Sequence, residues 1–209
     1  MKSALALLLA AGCALGAVAP AHAQGDGGAE ARKNRDAERI TIELMGCLAR
    51  SERRQAAEVI RLEPGTEAEG KAFMGLFDSA RMCVPRGKKV QAPGINLRGA
   101  LAEALYLRTF REAGPATGAA QPEWLKQPVH AAYSVVQCAA EKEPAAADRL
   151  VRTKWHSDEE VAAADALLPV LQACANGRQV NFDRVTLHGL IAEALFRARG
   201  GLSASEGNS

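Results

Sequence analysis

The sequence predicts an all-α fold that consists of two similar units of about four helices each. The first observation behind this prediction is a repeat. The ten residues LRGALAEALY at 97–106 recur as LHGLIAEALF at 187–196. The second observation is composition: aromatic residues are few, alanine is abundant, and long runs of β-branched residues are absent. Such a composition favours helices over strands.

Four of the five cysteines follow the same repeat. Cys47 and Cys83 are 83 − 47 = 36 residues apart, and Cys138 and Cys174 are 174 − 138 = 36 residues apart. Of the three possible pairings, only Cys47–Cys83 with Cys138–Cys174 respects the repeat and keeps each bond within one unit. No C-x-x-C motif is present, and no histidine lies at metal-ligand spacing from a cysteine. We expect two structural disulfides, no metal and no other cofactor.

The beginning of the chain reads as a secretory signal peptide. Lys2 supplies a positive charge, residues 4–18 are mostly apolar, and Ala23 ends a small-x-small cleavage motif. We expect cleavage after Ala23 and export to the periplasm, where disulfides form. Lipoprotein processing at Cys13 is the alternative, although the leucine that usually stands three residues before such a cysteine is missing. No later run is apolar enough to span a membrane.

Composition along the chain predicts its division into segments. The signal peptide is followed by a Gly-rich, polar segment that we expect to be flexible. The two repeat units are joined by a linker rich in Gly and Pro, and a polar tail that we also expect to be flexible ends the chain. These segments are 24–35 (flexible), 36–113 (unit 1), 114–128 (linker), 129–199 (unit 2) and 200–209 (tail).

The first two helices of unit 1 are predicted from apolar spacing. A stripe of apolar residues predicts a helix over about 36–49. A short second helix follows over about 52–62, with Ser51 as its expected N-cap. Its copy in unit 2 has Pro144 in the first turn, where the missing N–H group carries no cost.

The third helix of each unit has a recognisable beginning. Thr66 and Glu69 have the spacing of a capping box, and Ser157 and Glu160 repeat it at the equivalent position. The recurrence of this signal at equivalent positions supports the interpretation that the chain is a tandem duplication of one unit. Pro169 lies inside the second copy, and we expect it to bend or tighten that helix.

The fourth helix of each unit contains the repeated ten-residue motif and is apolar nearly all round. Such a helix is expected to be buried at the centre of the protein. Gly99 and Gly189 occupy equivalent positions in the two copies. Because glycine has no side chain, each of them would let another backbone approach closely.

Four polar residues on these central helices are the candidate site: Glu103 and Glu193, with Arg98 and His188. A buried carboxylate is costly unless it is paired or hydrogen-bonded. One interpretation is structural, with each carboxylate accepting bonds from an arginine or a helix N-terminus. The other is a pair of carboxylates between the units that acts in acid–base chemistry or binds a ligand.

Charge and motifs exclude several classes of function. The net charge of +2 gives no case for nucleic-acid binding. No nucleophile elbow, phosphate-binding loop or dinucleotide-binding motif is present. The three histidines outside the signal peptide are dispersed, so we assign no catalytic residue. The basic stretch 81–89 is interpreted as a solvated loop, with contact to a small anion or an acidic partner as the alternative.

The pattern C-x35-C followed by L-x-G-x-x-A-E-A-L-[YF] resembles exported two-repeat helical proteins of alphaproteobacteria that have no assigned function. Cys47, Cys83 and residues 99–106, with their copies, carry this resemblance. It implies a helical periplasmic protein and adds no site. We expect a non-enzymatic periplasmic binding or scaffold protein whose partner is a periplasmic protein or a small ligand. The alternative is a ligand binder or enzyme that uses Glu103 and Glu193.

Overall fold

All regular elements of the described chain are helices, which confirms the predicted fold class. The structure, a computed structural model, describes residues 27–79, 81–83, 94–115 and 130–204. The helices are α1 (Gly27–Ser51), α2 (Arg53–Arg61), α3 (Glu67–Ser79), a 3₁₀ turn (Arg81–Cys83), α4 (Gly94–Thr109), α5 (Ala131–Lys142), α6 (Pro144–Arg152), α7 (Asp158–Ala175), α8 (Arg184–Ala198) and α9 (Gly201–Ala204). None of these helices is long and apolar enough to cross a membrane.

The two units have the same order of elements, and each is closed by one disulfide. In unit 1, Cys47 on α1 is bonded to Cys83 in the 3₁₀ turn. In unit 2, Cys138 on α5 is bonded to Cys174 near the end of α7. This is the predicted pairing. Because each bond closes a loop of 36 residues, it stabilises the fold by about 4 kcal/mol on the chain-entropy model.

The predicted capping boxes begin α3 and α7. The hydroxyl of Thr66 accepts a hydrogen bond from the backbone N–H of Glu69 at 3.2 Å. The hydroxyl of Ser157 accepts the equivalent bond from Glu160 at 3.1 Å. Both helices therefore begin with the same local contact. The two glutamates also contact the central helices: Glu69 contacts Arg98, and Glu160 contacts His188. Helix α7 continues through Pro169 to Ala175.

Some boundaries differ from the sequence-based expectations. Helix α1 begins at Gly27, inside the segment expected to be flexible, because good helix formers such as Ala, Glu, Arg and Lys follow that glycine. Ser51 ends α1 instead of capping α2, and its hydroxyl donates to the carbonyl of Cys47. The short helix α9 lies inside the expected tail, and Leu202 within it is buried.

Other predictions fall on residues outside the described part of the chain. These are the signal peptide with its cleavage site and the alternative processing site at Cys13, most of the linker 114–128, and most of the basic stretch 81–89.

Helices α4 and α8 cross in direct backbone contact at the centre of the protein. A Cβ atom added to Gly99 would lie 2.7 Å from the Cα of Gly189, and one added to Gly189 would lie 2.6 Å from the Cα of Gly99. Real Cβ atoms do not approach another backbone this closely. The repeated motif therefore needs glycine because the two copies of it touch each other.

Replacement of Gly99 by alanine is predicted to lower the free energy of unfolding. The new methyl group meets backbone and not a movable side chain, so α4 and α8 must separate. We expect a loss of about 1–3 kcal/mol, the usual cost of overpacking, measured by urea denaturation.

Gly75→Ala is the matched control, because it also lies inside a helix and an added Cβ meets nothing within 4 Å. There we expect a gain of about 0.5–1 kcal/mol from helix propensity. Equal effects of the two substitutions would contradict the close crossing.

Candidate functional site

The four candidate residues lie together at the crossing of α4 and α8. Arg98 and Glu103 lie on α4, and His188 and Glu193 lie on α8. Each basic residue is paired with the carboxylate of the other unit: Arg98 with Glu193 at 2.7 Å, and His188 with Glu103 at 3.5 Å. The carboxylates are therefore engaged by basic partners across the interface between the units.

Arg98 is fully enclosed and bonded through all three of its nitrogens. Its Nε and Nη2 donate to the two carboxylate oxygens of Glu193 at 2.8 and 2.7 Å, which is bidentate geometry. Its Nη1 donates to Oε1 of Glu69 in α3 at 2.8 Å. It also donates to carbonyl oxygens at the end of α2: Val59 at 3.0 Å, Ile60 at 2.7 Å and Leu62 at 2.9 Å. One guanidinium thus satisfies the free carbonyls of α2 and joins three other elements.

Glu193 is held as a carboxylate by several donors. Besides Arg98, it accepts from Nε of Arg197 at 3.0 Å and from the hydroxyl of Tyr133 at 3.5 Å. Burial by itself would raise its pKa, but the charges and hydrogen bonds of Arg98 and Arg197 outweigh burial and hold the pKa of Glu193 below its usual value. The arrangement is that of a structural ion pair.

His188 occupies the position in unit 2 that Arg98 occupies in unit 1, and it contacts equivalent partners. Its Nδ1 lies 3.1 Å from Oε1 of Glu160, the counterpart of Glu69. Its Nε2 lies 3.4 Å from the carbonyl oxygen of Val151, at the end of α6. The two imidazole nitrogens therefore make fewer contacts than Arg98 does, but to equivalent partners.

Trp155 fills the space that the shorter histidine leaves. Its ring stacks on His188, with centroids 4.6 Å apart and an angle of 17° between the planes. Its Nε1 donates to both carboxylate oxygens of Glu103, at 2.8 and 3.0 Å. The sequence analysis did not identify Trp155. Its repeat counterpart is Pro64 (155 − 91 = 64), and this difference between the copies was the only available signal.

The protonation of this cluster is linked across the interface. Burial acts to lower the pKa of His188, but the bond to Glu160 and the charges of Glu103 and Glu160 outweigh it, so the pKa is raised. Burial raises the pKa of Glu103, against the charge of His188 and the Trp155 hydrogen bond. The pKa of Glu160 is lowered: burial acts to raise it, but the bonds from His188 and the backbone of His156 outweigh burial.

Glu103 also borders a groove between α1 and α4 that has a volume of about 860 Å³. Ends of α2 and α6 complete its walls. Two carboxylates, Glu43 and Glu103, line it together with five arginines, and we call it the arginine groove: Arg50, Arg53, Arg108, Arg111 and Arg152.

Three of these arginines have no carboxylate within ion-pairing distance among the described residues: Arg50, Arg53 and Arg108. Within the described chain, Arg53 contacts only neutral oxygens: the hydroxyl of Thr109 at 3.4 Å and the carbonyl of Ala204 at 3.3 Å. Its Nε is buried without a partner among these residues. Arg152 is paired with Asp148 at 2.8 Å. The groove therefore carries an excess of positive charge.

The sequence analysis missed the arginine groove. Four of its arginines belong to unit 1 alone, because their repeat counterparts are not basic: Glu141, Pro144, Ala198 and Gly201. This divergence was the signal that could have revealed it. Which helical faces meet in space was not readable from spacing.

Comparison with protein-family models, with curated proteins and with solved structures gives no match to this chain. Among the described residues, no group of three or more His, Cys, Asp or Glu side chains is placed to hold a metal ion.

His188 is predicted to make stability depend on pH. The pKa of His188 is raised in the folded protein. Its contribution to the free energy of unfolding is therefore complete below the unfolded-state pKa of about 6.5 and is lost as pH rises through the folded-state pKa. We expect the free energy of unfolding to fall as pH rises above about 6.5, and His188→Gln to flatten this fall. The pKa of Glu160 is lowered, so its contribution to the free energy of unfolding is lost as pH falls, and only at acid pH.

His130→Gln is the control, because it removes an exposed histidine outside the cluster. Urea denaturation at several pH values measures both variants. A wild-type slope in His188→Gln would show that the buried imidazole carries no pH-dependent stability.

Proposed function

We propose that the protein is an exported, non-enzymatic binding protein that holds an anionic partner in the arginine groove. The observation that carries this proposal is the set of three guanidinium groups in one groove without carboxylate partners among the described residues. Guanidinium groups bind carboxylates and phosphates with two parallel hydrogen bonds.

The charge balance of the groove supports an anionic partner. Five arginines face two carboxylates, and only Arg152 has a close ion pair within the described chain, whereas Arg111 is 4.0 Å from the exposed Glu112. Like charges in one concave surface repel each other, and a bound anion removes that repulsion.

The central carboxylates support a structural role more than catalysis. Glu193 is enclosed by Arg98, Arg197 and Tyr133. Glu103 is engaged by Trp155 and His188. Both carboxylates are used to join the two units, and this use favours a binding protein over an enzyme built on the carboxylate pair.

Export to the periplasm is part of the proposal. The signal-peptide pattern at 1–23 supports it, as does the resemblance to exported two-repeat proteins. The two disulfides are compatible with an oxidising compartment.

Charge reversal in the groove is predicted to abolish most anion binding. Poly-L-glutamate is the probe, and isothermal titration calorimetry with the mature protein measures its affinity. We expect Arg50→Glu with Arg108→Glu to weaken binding at least about tenfold, because two unpaired guanidinium groups are replaced by carboxylates that repel the anionic probe. Added salt should weaken wild-type binding.

Arg35→Glu with Arg54→Glu is the matched control, since it makes the same change in net charge at exposed sites outside the groove. We expect the control to change the affinity less than about threefold, as rim charges do. Equal losses in the two double variants would mean that only net charge matters, and the groove would lose its assigned role.

A further inference from the structure

We propose that the partner in the arginine groove is an extended acidic protein segment that also carries apolar side chains and continues past Arg152 into a second groove. This inference rests on the proposed function, because it names the class of partner for the same groove. It is carried by the apolar side chains that line the arginine groove and by Arg152, which lines both grooves.

The floor of the arginine groove is apolar. Ile42 on α1 and Leu107 on α4 are partly buried and line it, together with the small side chains of Ala100 and Ala104. A phosphate or a small carboxylate would contact the arginines and leave this floor in water. A peptide whose acidic side chains alternate with apolar ones covers both surfaces, because burial of apolar area favours association.

A second basic groove of about 670 Å³ shares the lining residue Arg152 with the first. Arg149 and Lys154 line the second groove, and neither has a carboxylate within ion-pairing distance in the described chain. Its lining also includes two exposed apolar residues, Pro115 and Ala145. The second groove therefore also combines basic with apolar lining residues.

The carboxylates of the second groove do not cancel this charge. Asp148 is buried, accepts a hydrogen bond from the hydroxyl of Tyr106, and is paired with Arg152. Glu159 is exposed at the edge. Arg152 is held on two sides, by Asp148 at 2.8 Å and by the carbonyl of Phe110 at 3.0 Å. The side chain of Arg152 is thus held in place, and an occupant of both grooves must pass over it.

The length of the occupant follows from the helix that lines the first groove. Ala100 to Arg108 on α4 spans roughly 12 Å at about 1.5 Å per residue. An extended segment of about four residues covers that distance. A longer segment is needed to reach Arg149 and Lys154, which line the second groove.

The experiment compares synthetic peptides on the intact mature protein by fluorescence anisotropy. The probes are the four-residue EELE, the ten-residue EELEELEELE, and EESEESEESE, which keeps the charge and length but replaces leucine by serine. We expect the ten-residue leucine peptide to bind at least about tenfold tighter than either of the others. Polyphosphate of matched charge should bind more weakly than this peptide.

Arg149→Ala with Lys154→Ala tests the second groove alone. We expect this variant to weaken binding of EELEELEELE at least about fivefold and to leave EELE within about twofold, since EELE fits inside the first groove. Circular dichroism checks that this double variant is folded.

The possible results separate this inference from the proposed function. Binding of the two leucine peptides with equal affinity, or of the serine peptide and polyphosphate as tightly as EELEELEELE, would overturn the extended amphipathic partner. Poly-L-glutamate would still bind in that case. Failure of poly-L-glutamate to bind at all would instead overturn the anionic partner itself.

Discussion

The buried ion pair between Arg98 and Glu193 is the interaction on which the arrangement of the two units depends. Arg98 joins α4 to the end of α2, to Glu69 at the beginning of α3, and to Glu193 on α8 of the other unit. The glycine contact brings α4 and α8 close enough for these bonds. Loss of one partner would leave a buried charge without compensation, and such a charge is far more costly than a surface one.

The two similar units share a framework and differ in the side chains beside their central glutamates. Disulfides, capping boxes, crossing glycines and central glutamates are present in both units and hold the framework. The differences lie beside Glu103 and Glu193: Arg197 closes the space next to Glu193, whereas its counterpart Leu107 lines the arginine groove next to Glu103. The proposed binding groove therefore lies where the two units differ, whereas the central ion pairs are present in both units.

The sequence predicted what depends on local spacing or on the repeat. The disulfides, the capping boxes of α3 and α7 and the close approach at Gly99 belong to this class. The engagement of Glu193 by an arginine was one of two interpretations that the sequence left open. Ser51 was misjudged because the preceding helix continues to it. Trp155 and the arginine groove were missed because their meaning depends on which faces of α1, α4 and α6 meet, and that is fixed by packing between segments far apart in the chain.

A double-mutant cycle on Arg98→Met and Glu193→Leu, followed by urea denaturation, tests the central ion pair most directly. Each single variant should lose about 3–5 kcal/mol, and the double variant should lose at least about 2 kcal/mol less than the sum. A double variant that folds when a single one does not is the same result. The exposed pair Arg39–Glu43 is the control cycle, with an expected coupling below about 0.5 kcal/mol. Losses at Arg98 and Glu193 that add within about 0.5 kcal/mol would contradict the claim that this pair holds the two units together.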